Sequence, residues 1–156
     1  MCGIVGYIGN RQASKILING LQRLEYRGYD SAGICTHENN KLIITKCKGK
    51  VSDLKSSINN LLHQSSIGIG HTRWATHGEP NITNAHPHID NSKQFSLIHN
   101  GIIENHYSIK EYLISKGVSF TSDTDTEVLV QFIGYLYETE KMNFFDTVRT
   151  ALKEVV

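Results

Sequence analysis

Apolar residues along this chain recur with two spacings, and the places where one gives way to the other set the order of its elements. Gly3–Ile8 is a short apolar run, with Ile4, Val5, Tyr7 and Ile8 between glycines, and predicts a buried strand. Over residues 12–24 the spacing lengthens. Ala13, Ile16, Leu17, Gly20, Leu21 and Leu24 fall three and four apart and predict a helix with one apolar face. Residues 25–31 form a loop of charged, aromatic and glycine residues. Residues 32–36 and 42–46 predict the two strands of a hairpin that turns at Glu38-Asn39-Asn40. Val51, Leu54, Ile58 and Leu61 mark a second helix, and residues 67–70 a further strand.

Periodicity stops over residues 71–90. This stretch is read as irregular, and it holds four of the 8 histidines, the single Trp and both prolines. Loops of that length in a compact domain usually carry function. Residues 95–99 resume as a strand that ends at the turn signal Asn100-Gly101. Three helices follow. Ile109, Tyr112, Leu113 and Lys116 line the first, closed by Gly117. Residues 124–137 form the next, with Val128, Leu129, Phe132, Ile133 and Leu136 inward. Phe145, Val148, Leu152 and Val155 trace the last, a stripe with no later element to cover it. Self-association or a partner chain would cover it, or the chain is a piece of something longer.

Composition narrows the function classes. The chain has 156 residues, which suits one domain over 1–156, and 16 Lys+Arg against 15 Asp+Glu give a net charge of +1. That balance removes the main reason to expect nucleic acid. No apolar run approaches the ~18 residues that span a bilayer. The first residues lack the basic start and long apolar stretch of a secretory signal. A soluble, cytoplasmic protein is expected, with no membrane association. Cys2, Cys35 and Cys47 are too few for a disulfide framework and fit a reducing compartment.

Four segments could do chemistry. Loss of Met1 would leave Cys2 with a thiol and a free α-amine on one residue, and the amine could serve as base for its own side chain. The alternative is an ordinary cysteine behind a retained Met1. Asn100 and the backbone N–H of Gly101 could both donate to a developing oxyanion, although Asn-Gly is equally a hairpin signal. Arg73 offers a fork for a carboxylate, with Trp74 and His77 beside it to shape a pocket for a small polar ligand. Thr124 and Glu127 make a capping box at the start of a helix, and Asp125, left over, could hold an ammonium group or complement the helix N-terminus. The histidines His71, His77, His86, His88 and His99 invite a metal hydrolase reading. Without HExxH or CxxC spacing, no metal site is expected.

Taken together, Cys2-Gly3-Ile4-Val5-Gly6, the run from Leu24 to Gly33, His71 to Pro80, Asn84-Ala85-His86-Pro87-His88, His99 to Asn105 and Thr124 to Val128 resemble the glutaminase domain of the glutamine–fructose-6-phosphate aminotransferase (glucosamine-6-phosphate synthase) family. The resemblance covers nearly the whole chain. It implies an α+β N-terminal-nucleophile hydrolase fold, four layers αββα with two stacked antiparallel sheets. It implies that Cys2, freed by loss of Met1, attacks the side-chain amide of L-glutamine, and that its α-amine moves the proton. Asn100 and Gly101 would bind the oxyanion, Arg73 the substrate carboxylate and Asp125 its ammonium. Trp74, Thr76 and His77 would line the pocket, and Arg27 and Gly28 would lie on the loop that closes over the nucleophile. No cofactor is required.

The resemblance also marks a shortfall. Family glutaminase domains continue beyond this length. The phosphosugar isomerase half, which would take ammonia to fructose 6-phosphate, is not in this chain. An incomplete scaffold is therefore expected at the C-terminal end. A non-catalytic remnant that associates through an unfinished face is the competing expectation.

Overall fold

The computed structural model describes residues 2–28, 30–58, 64–74 and 81–156. The chain divides into two compact units, Met1–Pro87 and His88–Val156. The class is α+β, with one antiparallel sheet in each unit.

In the first unit, β1 (Gly3–Ile8), β2 (Ser31–Glu38), β3 (Lys41–Lys48) and β4 (Ile67–Arg73) form a four-stranded sheet in the order β1-β4-β2-β3. Helices α1 (Ala13–Leu24) and α2 (Val51–Ser57) belong to the same unit. β2 and β3 turn at Asn39 and Asn40, both at positive φ (49° and 58°), with Glu38 opposite Lys41. Two consecutive left-handed residues match the natural twist of a hairpin, and Asn tolerates them better than most. The predicted hairpin is present and runs longer at both ends. Helix α1 buries Ala13, Leu17, Ile18 and Leu21 against Ala32, Ile34, Val51 and Leu54. Ile18, rather than the expected Ile16, completes this face. α2 ends at Ser57, and the expected helical residue Leu61 lies outside the described residues.

The irregular stretch predicted over 71–90 is shorter than expected. β4 continues through His71, Thr72 and Arg73, all buried although polar, so their strand character is invisible to a hydrophobic pattern. At the far end, His88–Ile89 forms β5, which pairs with β6 (Ser96–Leu97) in the second unit. The strand expected over 95–99 shrinks to those two residues. Asp90 shapes the chain that leads into it. Its buried carboxylate accepts N–H bonds from Gln94 (2.8 Å), Phe95 (2.6 Å) and Ser92 (3.0 Å), plus the Ser92 hydroxyl, and so organises the connection as a turn.

Helices α3 (His106–Ser115), α4 (Asp125–Glu140) and α5 (Phe144–Glu154) complete the second unit. Ile103, Ile109, Leu113, Val128, Leu129, Phe132, Ile133 and Ala151 share one apolar cluster. Gly117, at φ 86°, closes α3 as its sequence suggests, with the Val118 N–H returning to the Leu113 carbonyl. α4 is buried all round from Thr126 to Gly134, more than its predicted inward face. Two of its three buried polar side chains, Glu127 and Gln131, are satisfied by partners outside the helix. Glu127 accepts four bonds, from the N–H and hydroxyl of Thr121 and of Ser122, and Gln131 exchanges two 3.0 Å bonds with Asn91. α5 departs from its predicted stripe. Thr147 and Ala151 are buried, Val148 and Val155 pack partly, and Phe145 and Leu152 are exposed. Small side chains let the helix approach closely, which turns Phe145 and Leu152 outward. Among the described residues, no helix is long and apolar enough to cross a membrane.

One contact fixes the irregular segment onto the first sheet. A Cβ added at Gly33 in β2 would lie 2.2 Å from the His86 carbonyl oxygen, a backbone atom. Gly33→Ala is therefore expected to lower unfolding free energy by about 1–3 kcal/mol in urea denaturation. Gly6→Ala in β1 meets nothing within 4 Å and should stay within about 0.5 kcal/mol.

Candidate active site

In the first unit, sheet register brings Cys2 to the end of β4. Gly3 pairs with Thr72, so the residue before β1 reaches the residues that close β4. The Trp74 N–H donates to Cys2 Sγ at 3.3 Å, and the thiol faces the Trp74 carbonyl at 3.7 Å. Both partners are main-chain atoms. The sulfur is half-buried and forms no disulfide. Cys35 and Cys47 are buried in the sheet, and burial pushes the Cys47 thiol up from its ordinary value.

Arg73 precedes Trp74 and is buried, with its carbonyl fixed by the Asp30 N–H at 2.9 Å. Arg27 ends a single 3₁₀ turn, Glu25–Arg27, and Gly28 follows at φ 131°. The Glu25 carboxylate accepts the Val51 N–H at 2.8 Å and so ties this turn to the start of α2. Gly28 lies directly on the indole: an added Cβ would sit 2.3 Å from Trp74 Cε3. That approach and the positive φ both demand glycine here. Cys2, Gly28 and Trp74 thus form one contact group, with Arg73 next to it in the chain. Thr76 and His77 lie outside the described residues, as do Met1 and Tyr29.

In the second unit, Asn100 and Gly101 are exposed, and Gly101 sits against the His99 ring, 2.7 Å from Nε2 to an added Cβ. Asp125 is the first residue of α4. Its Oδ2 accepts the Ile103 N–H at 2.8 Å and lies 4.0 Å from His99 Nδ1. One carboxylate therefore links the start of α4 to the segment around Asn100 and Gly101. The capping box predicted at this terminus is half present. Thr124 Oγ1 accepts the Glu127 N–H at 3.2 Å, while the Glu127 carboxylate turns to Thr121 and Ser122 instead of the Thr124 N–H.

The histidines fall into separate environments. His71 and His86 face each other with ring centroids 4.5 Å apart, and His88 Nε2 bonds to Thr124 Oγ1 at 3.0 Å. Among the described residues, no three His, Cys, Asp or Glu side chains gather as a metal would require. Sequence reasoning missed Asp90, Glu25 and the Asn91–Gln131 pair, which shape the scaffold. The polar run Asp90-Asn91-Ser92 between two apolar stretches was the available signal for the first.

A model of the glutamine amidotransferase domain matches residues 41–141, well over half of the chain. The chain belongs to this family of glutamine amidotransferase domains. The family match takes in Arg73, Trp74, Asn100, Gly101 and Asp125, and it begins after Cys2, Arg27 and Gly28. A glutamine–fructose-6-phosphate aminotransferase from Bacteroides thetaiotaomicron is 55% identical over 100% of this chain and 26% of its own length. One from Clostridium acetobutylicum is 49% identical over 99% of this chain and 25% of its own length. The chain thus spans about a quarter of these relatives. Among solved structures, the glutamine phosphoribosylpyrophosphate amidotransferase from B. subtilis, complexed with ADP and GMP, is 26% identical with a TM-score of 0.81, over 99% of this chain and 33% of that one. The allosteric regulatory enzyme of purine biosynthesis is 27% identical with a TM-score of 0.85, at the same coverage. The expected N-terminal-nucleophile fold is that of these amidotransferases.

Two outcomes test the local geometry. Trp74 is the only tryptophan, so fluorescence reports on it alone. Gly28→Ala should shift its emission maximum. Gly117→Ala, at a positive φ with nothing within 4 Å, should leave it unchanged. Iodoacetamide at neutral pH should alkylate Cys2 well before Cys35 or Cys47, as read by peptide mass, because the thiolate is the reactive form and both other thiols are buried.

Proposed function

We propose that this chain is a glutaminase that converts L-glutamine to glutamate and ammonia, with Cys2 as nucleophile. The observation that carries the proposal is the Cys2 sulfur held at the end of β4 by the Trp74 peptide group, beside buried Arg73, in a glutamine amidotransferase domain.

The assigned steps balance. After loss of Met1, the Cys2 α-amine takes the thiol proton and sulfur attacks the glutamine side-chain carbonyl carbon. Asn100 and the Gly101 N–H stabilise the resulting oxyanion. The ammonium at Cys2 returns its proton to the leaving nitrogen, the C–N bond breaks, and a glutamyl thioester remains. Water, deprotonated by the same amine, adds to the thioester. The C–S bond breaks and the thiol is restored. Arg73 takes the substrate carboxylate as a bidentate partner and Asp125 takes its ammonium. Both charges of an amino acid then have partners, as their desolvation demands. Trp74, Thr76 and His77 line the pocket, and Arg27 and Gly28 belong to the loop that closes over the nucleophile. The 55% identical relative is an aminotransferase named for fructose 6-phosphate. By extension, where an isomerase domain is present, ammonia made here is destined for fructose 6-phosphate, giving glucosamine 6-phosphate in the cytoplasm.

Glutamate release by the purified protein tests the proposal. Cys2→Ala should reduce it by at least about 10³-fold, since loss of a covalent nucleophile removes a whole reaction path. Equal release by both proteins would sink the mechanism. Arg73→Lys keeps the charge and loses the fork, so KM for glutamine should rise about 10-fold to 100-fold while kcat changes less.

A further inference from the structure

We propose that Asn105 is a positioning residue for the oxyanion-binding pair Asn100 and Gly101, which it steadies by tying the segment behind that pair to the end of α5. The inference rests on the glutaminase function proposed above and adds a residue to which that function gave no role.

Asn105 occupies the N-cap of α3, where an Asn side chain ordinarily accepts an N–H from its own helix. It makes no such bond. Its side chain turns instead to the other end of the unit. Nδ2 donates to the Glu154 carbonyl at 2.7 Å, and Oδ1 accepts the Val156 N–H at 3.1 Å. The carbonyl is one of those that a helix C-terminus leaves without an internal partner. A local cap has been exchanged for a tertiary one, and both polar ends of the amide are used.

The neighbouring residues are held in the same way. The Glu104 N–H donates to the Val156 carbonyl at 2.6 Å, and the Ile103 N–H donates to Asp125 Oδ2 at 2.8 Å. Residues 103, 104 and 105 are thus pinned one after another, the first by the start of α4 and the other two by the end of α5. Gly101 lies two residues ahead, and Gly101 and Ile102 are exposed, Ile102 at 72%. The His99 ring packs against Gly101, and the peptide that must aim its N–H at an oxyanion needs a second constraint from the chain behind it. The fixed segment that follows it sets that direction. An oxyanion donor acts only at short range and correct angle, and a displacement of about 1 Å at a reacting centre costs about 10²-fold in rate.

The test compares the wild-type protein with Asn105→Ala and with Asn105→Asp, which keeps the acceptor for Val156 and loses the donor for Glu154. Hydrogen exchange over residues 101–105 should quicken at least about tenfold in Asn105→Ala, with the strands of the first unit unchanged. Its kcat for glutamate release should fall about 10-fold to 100-fold, with KM for glutamine within about twofold of wild type. Alkylation of Cys2 by iodoacetamide needs no oxyanion donors and should keep its wild-type rate. Asn105→Asp should fall between the two, and it decides the matter if Asn105→Ala shows no cooperative thermal transition. Unchanged exchange, unchanged kcat, or equal losses in kcat, KM and alkylation would each overturn the assignment of Asn105 while leaving the glutaminase function standing. A wild-type protein that releases no glutamate would overturn both.

Discussion

β4 pairs with two strands at once, and the chemistry of the first unit depends on that double register. Thr72 lies opposite Gly3 on one side and Ala32 on the other, and Arg73 lies opposite Ser31. A slip of one residue on either side would invert every side chain of the strand that moved. Cys2 would lose the Trp74 peptide group, or the Asp30 N–H would lose the Arg73 carbonyl. The register is specified by packing at the other end of the strand. Gly68 and Gly70 lie under Leu17 and Leu21 of α1, near enough that an added Cβ would come within 3.1 Å of either side chain. The helix thus locks the strand from its glycine half and leaves the polar half to reach the candidate site.

The second unit relies on a different device. Its buried acids are structural anchors with full sets of donors. Asp90 gathers a turn, and Glu127 gathers Thr121 and Ser122 at the start of α4. Taking a carboxylate out of water is costly unless several donors replace the solvent. Both acids meet that condition through neighbours only two to six residues away, so these networks form from local chain and then support the helix. Asp125 differs in being partly exposed and in making its Ile103 bond with one oxygen. Among the described residues, the other oxygen has a single long contact, 3.4 Å from the Thr126 hydroxyl.

Legibility from sequence followed burial chemistry. The hairpin at Asn39-Asn40, the face of α1 and the close of α3 at Gly117 were readable because apolar spacing and turn residues agreed. β4 past Gly70 was not, since His71, Thr72 and Arg73 are polar residues in a buried strand. β5 and β6 were misjudged because their turn joins backbone bonds, from the Lys93 N–H to the Asp90 carbonyl and from the Asp90 N–H to the Phe95 carbonyl, to a carboxylate that gathers three further N–H groups. The outward turn of Phe145 and Leu152 was hidden as well, because a helix can dock through Thr147 and Ala151, residues that carry little hydrophobic signal. Of the candidate site, the residue types were plain in the motifs. The contact of Gly28 with the Trp74 ring and the diversion of the Asn105 cap were not, because each joins positions 46 and 49 or more residues apart.

The sulfur of Cys2 is held by the amide and carbonyl of residue 74, which every amino acid except proline supplies in full. The identity of the ring at that position is therefore uncoupled from the seating of the thiol. Under the proposed glutaminase function, an exchange of the indole for another shape would retune which carboxamides are admitted and leave undisturbed the sulfur proposed to attack them.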